Sequence, residues 1–73
     1  MIFTDGKLFC IQISSFKVKS AALERAQKLI ENGHKAFVTE VYLFKNQDPW
    51  FRVRVGYFNS FEEAKDYKEK YFR

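Results

Sequence analysis

Gln12, Arg52 and Arg54 are the side chains with the most chemistry to offer, and each lies in a run that alternates with a period of two. In FCIQISSF, apolar Phe9, Ile11 and Ile13 alternate with Cys10, Gln12 and Ser14. In WFRVRVGYF, Phe51, Val53 and Val55 alternate with Arg52 and Arg54. That period belongs to strands, and it assigns the apolar set to a core and the polar set to the opposite face. An amide offers donors and acceptors in one plane, and a guanidinium offers a rigid, charged fork of donors. Grouped on an open sheet face, such side chains suit a polar or anionic ligand.

Catalysis has no comparable support. His34, the single histidine, stands beside Gly33 at the end of a helical run, with no nucleophile or carboxylate partner at a recognisable spacing. It reads as a solvated cap at the helix C-terminus. Glu62, Glu63 and Asp66 fall on one face of a second helical run and read as solubilising charges. One cysteine excludes an intrachain disulfide, and one histidine leaves no set of ligands for a metal. Cys10 reads as a small strand residue. No catalytic residue, metal site or cofactor is expected, and the chain is not expected to be an enzyme.

The elements that must position the polar set follow from pattern. The first strand covers about residues 7–15. SAALERAQKLIENG then places Ala22, Leu23, Ala26, Leu29 and Ile30 on one helical stripe, with Ser20 as the expected cap and Gly33 as the stop. A second β-rich run, AFVTEVYLF, has apolar residues on both faces, so its parity is open and a bulge or edge position fits it. NQDP is a turn by composition, WFRVRVGYF is a further strand, and SFEE has the form of a capping box. After it Phe61, Ala64, Tyr67 and Tyr71 recur at helical spacing.

A single constant offset pairs Phe9 with Phe51, Ile11 with Val53, Ile13 with Val55, Phe16 with Phe58 and Ala22 with Ala64, an internal β-α repeat. It also pairs Gln12 with Arg54 and Ser14 with Gly56. Two such units joined through an extra strand predict an α+β fold of ferredoxin-like or RNP type: an antiparallel sheet with both helices packed on one face. Gln12, Arg52 and Arg54 should then be solvent-exposed on the uncovered side. No strand-forming run follows the second helix, so the fourth strand must come from elsewhere. Asp5-Gly6 between β-formers is a type I′ hairpin signal, which folds residues 2–4 back on the first strand to fill or cap the slot beside it, or leaves that slot to a second chain.

Seventy-three residues make one small domain, which buries only about 60% of its unfolded surface. A 19% aromatic content compensates for the thin core. The organisation expected is a single domain over residues 1–73, with an N-terminal hairpin arm at 1–7 and a core at 8–71, cut from a larger parent. Thirteen basic against 9 acidic residues give a net charge of +4, which favours anionic partners without naming them, with Lys17, Lys19 and Lys35 as a solvated rim. No run approaches a membrane span, so the domain itself is not expected to contact a membrane, and MIFTDGK lacks the regions of a signal peptide.

The stretches IQISSF, ALERAQKLIENG, PWFRVRVGYF and SFEEA, in this order and separation, resemble the SPOR domain (sporulation-related repeat) over about residues 8–71. The resemblance implies a four-stranded antiparallel sheet backed by two helices. It also implies binding of bacterial cell-wall peptidoglycan through the open face, with preference for denuded glycan strands at division septa. Gln12, Ser15 and Trp50 match the family's binding positions, and Arg52 and Arg54 its third-strand signature, without a choice between the two arginines. Ser14 stands where the family commonly has Gly, and Tyr57 where it commonly has Pro. The cell envelope, periplasmic or otherwise extracytoplasmic, is the implied location, reached through the parent protein.

The physical chemistry of these types agrees. Flat aromatic rings take the C–H faces of sugars, amides and guanidinium groups take their hydroxyls, and an Arg fork can pair with the lactyl carboxylates of muramic acid. The rival ligand is RNA or single-stranded nucleic acid on the same sheet face, which RNP-type modules bind by stacking bases on central-strand aromatics. Here that signature carries arginines on the open face and turns Phe51 inward, so no nucleic acid is expected. A protein-interaction module using the apolar edge of the second run is a third class.

Overall fold

Ile11, Val53 and Val55 meet at the centre of the protein as its largest fully buried side chains. The computed structural model describes residues 1–45 and 47–72. Its elements are β1 (Ile2–Thr4), β2 (Phe9–Phe16), α1 (Lys19–Glu31), β3 (Ala36–Val41), β4 (Trp50–Phe58) and α2 (Phe61–Tyr71). The strands form one antiparallel sheet in the order β1-β2-β4-β3, and both helices pack against it, the α+β ferredoxin-like arrangement. The expected turn at 46–49 includes Asn46, which lies outside the described residues.

The N-terminal segment supplies the fourth strand. Ile2, Phe3 and Thr4 pair with Ile11, Cys10 and Phe9, so β1 occupies the edge beside β2. The connection is a four-residue loop, not the two-residue turn that Asp5-Gly6 suggested. Asp5 Oδ1 accepts from the backbone N–H of Leu8 at 2.8 Å and of Lys7 at 2.9 Å, and Gly6 has φ of 98°. An aspartate that turns its carboxylate onto the following amides closes the loop through its own side chain, which replaces the tighter turn. These amides hold the Asp5 carboxyl below its ordinary value.

The register of β2 departs from simple alternation. Gln12 pairs with Arg54 but Ser14 with Val53, so Ile13 is an extra residue and a β-bulge. Beyond it parity flips: Ser14 turns to the helix side with Val53, and Ser15 turns to the open side with Arg52. A second irregularity lies at Tyr57, because Cys10 pairs with Gly56 while Phe9 pairs with Phe58. The two bulges fall at different points of the repeat, so Ser14 and Gly56 are not equivalent. In β3, Phe37, Thr39 and Val41 share the open face with Arg54, Arg52 and Trp50, and Ala36 and Val38 face the core. That strand ends at Val41, leaving Tyr42, Leu43 and Phe44 exposed.

The helices close the other side. α1 buries Ala22, Ala26 and Leu29, a narrower stripe than the sequence suggested, because two alanines let the helix approach the sheet closely and turn its flanks outward. Leu23 and Ile30, expected in the core, are 50% and 48% exposed. Its cap is Val18 with no side-chain bond, and Ser20 lies inside the first turn. At its end Gly33, at φ of 91°, lets the Gly33 and His34 amides donate back to Ile30 and Leu29. The His34 ring is half-buried, sharing a 2.6 Å hydrogen bond with the Tyr67 hydroxyl and packing against Phe72, so it ties α1 to α2 and is not a solvated cap. The Ser60 cap is present, its Oγ accepting from the Glu63 N–H at 3.1 Å.

Ile11→Ala removes a fully buried side chain beneath both helices and should cost about 2–5 kcal/mol, read from urea denaturation. Gly56→Ala tests the sheet itself. A Cβ there would stand 2.9 Å from Cys10 Cβ and 3.2 Å from Phe9 O, so the substitution should destabilise by roughly 1–3 kcal/mol as overpacking, with the β2–β4 amides exchanging faster.

Candidate functional site

The open face of the sheet is read row by row across its strands. Furthest from the β1–β2 loop, Trp50 pairs with Val41, and the Lys17 ammonium lies 5.1 Å from the indole centroid. The next row holds Ser15, Arg52 and Thr39, and the next Gln12, Arg54 and Phe37. The last holds Phe3, Cys10 and Gly56.

Gln12, Ser15 and Arg52 form one bonded group. Arg52 Nη1 donates to Gln12 Oε1 at 3.3 Å, and Gln12 Nε2 lies 3.5 Å from Ser15 Oγ as a long donor contact. The bulge at Ile13 produces this: strict alternation would have sent Ser15 to the helix side. Arg52 Nε is buried and has no hydrogen-bond partner, as is Arg54 Nε. The Arg52 fork is thus oriented by Gln12 and keeps donor capacity in reserve.

Arg54 is placed differently. Its guanidinium carbon lies 4.4 Å from the Phe3 ring centroid, so the cation rests on an aromatic from β1. Gln12, Arg52 and Arg54 were expected to be solvent-exposed; all three are half-buried. The expectation missed Phe3, which a strand supplied by the N-terminus carries onto the face, and Phe37, whose side of β3 the pattern left open. Phe37 stacks on Tyr57, centroids 5.2 Å apart and planes 22° from parallel. Only the pairing of β1 and β3 could have identified these rings from sequence.

Cys10 lies beneath Arg54 and is buried. Desolvation pushes its thiol up from the ordinary 9.0, and the nearby Arg54 charge pulls it part of the way back. Among the described residues no group of three or more His, Cys, Asp or Glu side chains could hold a metal, and no helix is long and apolar enough to cross a membrane. The site offers hydrogen-bond forks, a flat indole and positive charge. It is equipped to bind.

An open four-stranded sheet backed by two helices, with its polar and aromatic residues collected on the uncovered side, defines a surface-binding module. The SPOR domain family model matches residues 5–71, nearly the whole chain, and the chain belongs to that family. SPOR domains are peptidoglycan-binding modules that occur in cell-envelope proteins with a role in cell division. No curated protein and no solved structure matches the chain.

The buried thiol sets a pH dependence. A folded-state value raised above 9.0 means that the unfolded chain releases this proton first, so the stability contribution is complete below pH 9 and declines as pH rises further. Tyr67, also raised from its ordinary 10.0 by desolvation, adds in the same direction at higher pH. Urea midpoints should fall above pH 9, and Cys10→Ala should flatten the earlier part of that fall. Native protein at pH 8 should also react with iodoacetamide far more slowly than protein unfolded in urea.

Proposed function

We propose that this domain binds denuded peptidoglycan glycan on the open face of its sheet, catalyses nothing, and so directs a parent protein to division septa from the extracytoplasmic side of the envelope. The observation that carries the reading is the bonded group of Gln12, Ser15 and Arg52 beside Trp50, in a chain whose family binds peptidoglycan. Trp50 supplies a flat surface for the C–H face of a sugar, Gln12 and Ser15 contact hydroxyls, and Arg52 pairs with a muramic acid carboxylate bared when stem peptides are removed. Arg54, stacked on Phe3, adds charge at the next row. Glycan strands that still carry peptides have their lactyl carboxylates tied up as amides and more bulk over the face, which is the physical basis for the preference.

Nucleic acid is the reading to be separated from this one, because Phe3, Phe37 and Trp50 give the face more aromatic surface than its arginine-rich central strand suggested. Salt separates them. A sugar chain held by one or two ion pairs loses affinity gently with salt, whereas RNA held through many phosphates loses it steeply. In co-sedimentation with sacculi, amidase treatment should increase binding by wild type, and Trp50→Ala should weaken it about tenfold or more, as removal of an aromatic anchor does at other interfaces. Gln12→Ala should weaken it while leaving the urea midpoint nearly unchanged. Equal binding to treated and untreated sacculi by all three proteins would refute the assignment.

A further inference from the structure

The two edges of the sheet are closed unequally. β1 is three residues long, whereas β3 runs for six without a bulge, proline or lysine, and among the described residues no strand lies beyond it. Those are the devices that natural sheets use to blunt a long edge. The Gly56 N–H donates to the Lys35 carbonyl at 3.1 Å, which makes these two a hydrogen-bonded pair and sets the phase of the β3–β4 ladder. Phe37, Thr39 and Val41 therefore turn their amides toward β4, and Ala36, Val38 and Glu40 turn theirs outward. The helix above is unfinished on the same side. α1 packs over β3 and β4, and its Arg25 flank faces α2, because Arg25 lines a cleft with Lys68 and Tyr71. By the helical period Leu23 and Ile30 lie on the opposite flank, over the free edge, each about half exposed. Tyr42, Leu43 and Phe44, which follow the strand, are exposed as well, and the Tyr42 hydroxyl donates to Glu40 Oε2 at 3.2 Å on the helix side.

We propose that this edge is a homodimer interface, in which β3 pairs antiparallel with β3 of a second copy and the two sheets become one. The outward residues select the register. A two-fold axis at Val38, perpendicular to the sheet, sets Val38 against its own copy and Ala36 against Glu40, so every outward amide of the strand finds a partner. No like charges then face each other, because Glu40 meets Ala36 of the second copy and Lys35 meets its Val41. The axis also brings the end of each strand to the start of the other. α1 ends one short connection before β3 begins, so Ile30 of one copy comes to Leu23 and Tyr42 of the other, and α1 packs against α1 on the helix side. With strands about 4.8 Å apart, a helix seated over β3 and β4 lies roughly 10 Å from its mate, an ordinary spacing for packed helices. The five large apolar side chains of the patch, exposed by about 100 Å² each, give with the strand edge roughly 600–800 Å² per copy, close to the ~800 Å² of a standard interface. A lone added strand would satisfy the edge and leave Leu23 and Ile30 half covered; a partner that brings its own helix covers both layers. The patch is its own complement, as a two-fold contact requires. The open face stays free, so the proposal does not depend on the glycan reading.

Sedimentation velocity of the full chain over a wide range of concentration tests the pairing, with amide hydrogen exchange as the second readout. The mass should rise from 8.8 kDa toward twice that value, with a Kd in the micromolar range. Phe37, Thr39 and Val41 amides should be protected at every concentration, and those of Ala36, Val38 and Glu40 in the concentrated sample alone. Glu40→Pro removes an outward N–H at an exposed position, where proline costs no bond to β4, and Ile30→Lys sets a charge on the helix flank. Each should weaken dimerisation about tenfold or more while its NMR spectrum keeps the dispersion of a folded domain. A chain that stays at 8.8 kDa at the highest concentration would overturn the proposal. So would a dimer in which the Ala36, Val38 and Glu40 amides exchange freely, or one that Ile30→Lys forms as readily as wild type. A monomer that sediments with phosphatidylglycerol vesicles, and no longer does so as Phe44→Ala, would assign the exposed residues after β3 to a lipid surface and likewise overturn the pairing.

Discussion

The pairing of β2 with β4, with Ile13 as an extra residue in its midst, is the constraint on which the rest of the structure depends. On one side it brings Ile11, Val53 and Val55 together under the two helices, where they are the largest side chains to be fully buried. On the other side the same ladder sets Gln12 against Arg54 and Ser15 against Arg52. The core and the candidate site are two faces of one set of hydrogen bonds. A shift of register by one residue would exchange them and leave neither intact.

The bulge has a cost and an effect. Ser14, the polar residue that it turns toward the helices, is left with a buried hydroxyl lacking a partner. In return Ser15 joins Gln12 and Arg52 on the open side, and a cluster forms from residues that alternation alone would have divided between faces. Bulges that re-aim a side chain are a recurrent device at functional surfaces. Here one inserted residue decides which serine lies on the open face.

The edge strands complete the face instead of merely closing the sheet. β1 is only three residues long, yet it satisfies one edge of β2, covers Ile11 with Ile2 and lays Phe3 against Arg54. β3 does the corresponding work on the far side, with Ala36 and Val38 in the core and Phe37 on the face. A thin domain thus uses both surfaces of every strand. That explains why Arg54 on the uncovered side is half-buried: Phe3 from one edge lies against it and Phe37 from the other pairs with it. It also explains why Gly56 is needed, since the strands approach too closely at Cys10 for a side chain there.

Much of the protein was legible from pattern. Period-two alternation identified β2 and β4 and the faces of Ile11, Gln12, Val53 and Arg54, because the side-chain direction of a strand is fixed by its pleat. The S-x-x-E signature located the start of α2, and the Asp-Gly pair announced that the N-terminus folds back on β2. The family was visible in four short stretches and their order. Tertiary structure decided the rest. The bulge at Ile13 arises from the match between two whole strands, and no local signal in SSF marks it. Leu23 and Ile30 belong to the helical stripe by period, but the close approach of α1 through Ala22 and Ala26 leaves them outside. His34 meets Tyr67 only because the end of α1 lies over α2, and Phe3 meets Arg54, and Phe37 meets Tyr57, only through strand order. Sequence determines which way a side chain points along its own strand or helix; which neighbours it meets is a property of how the elements are brought together.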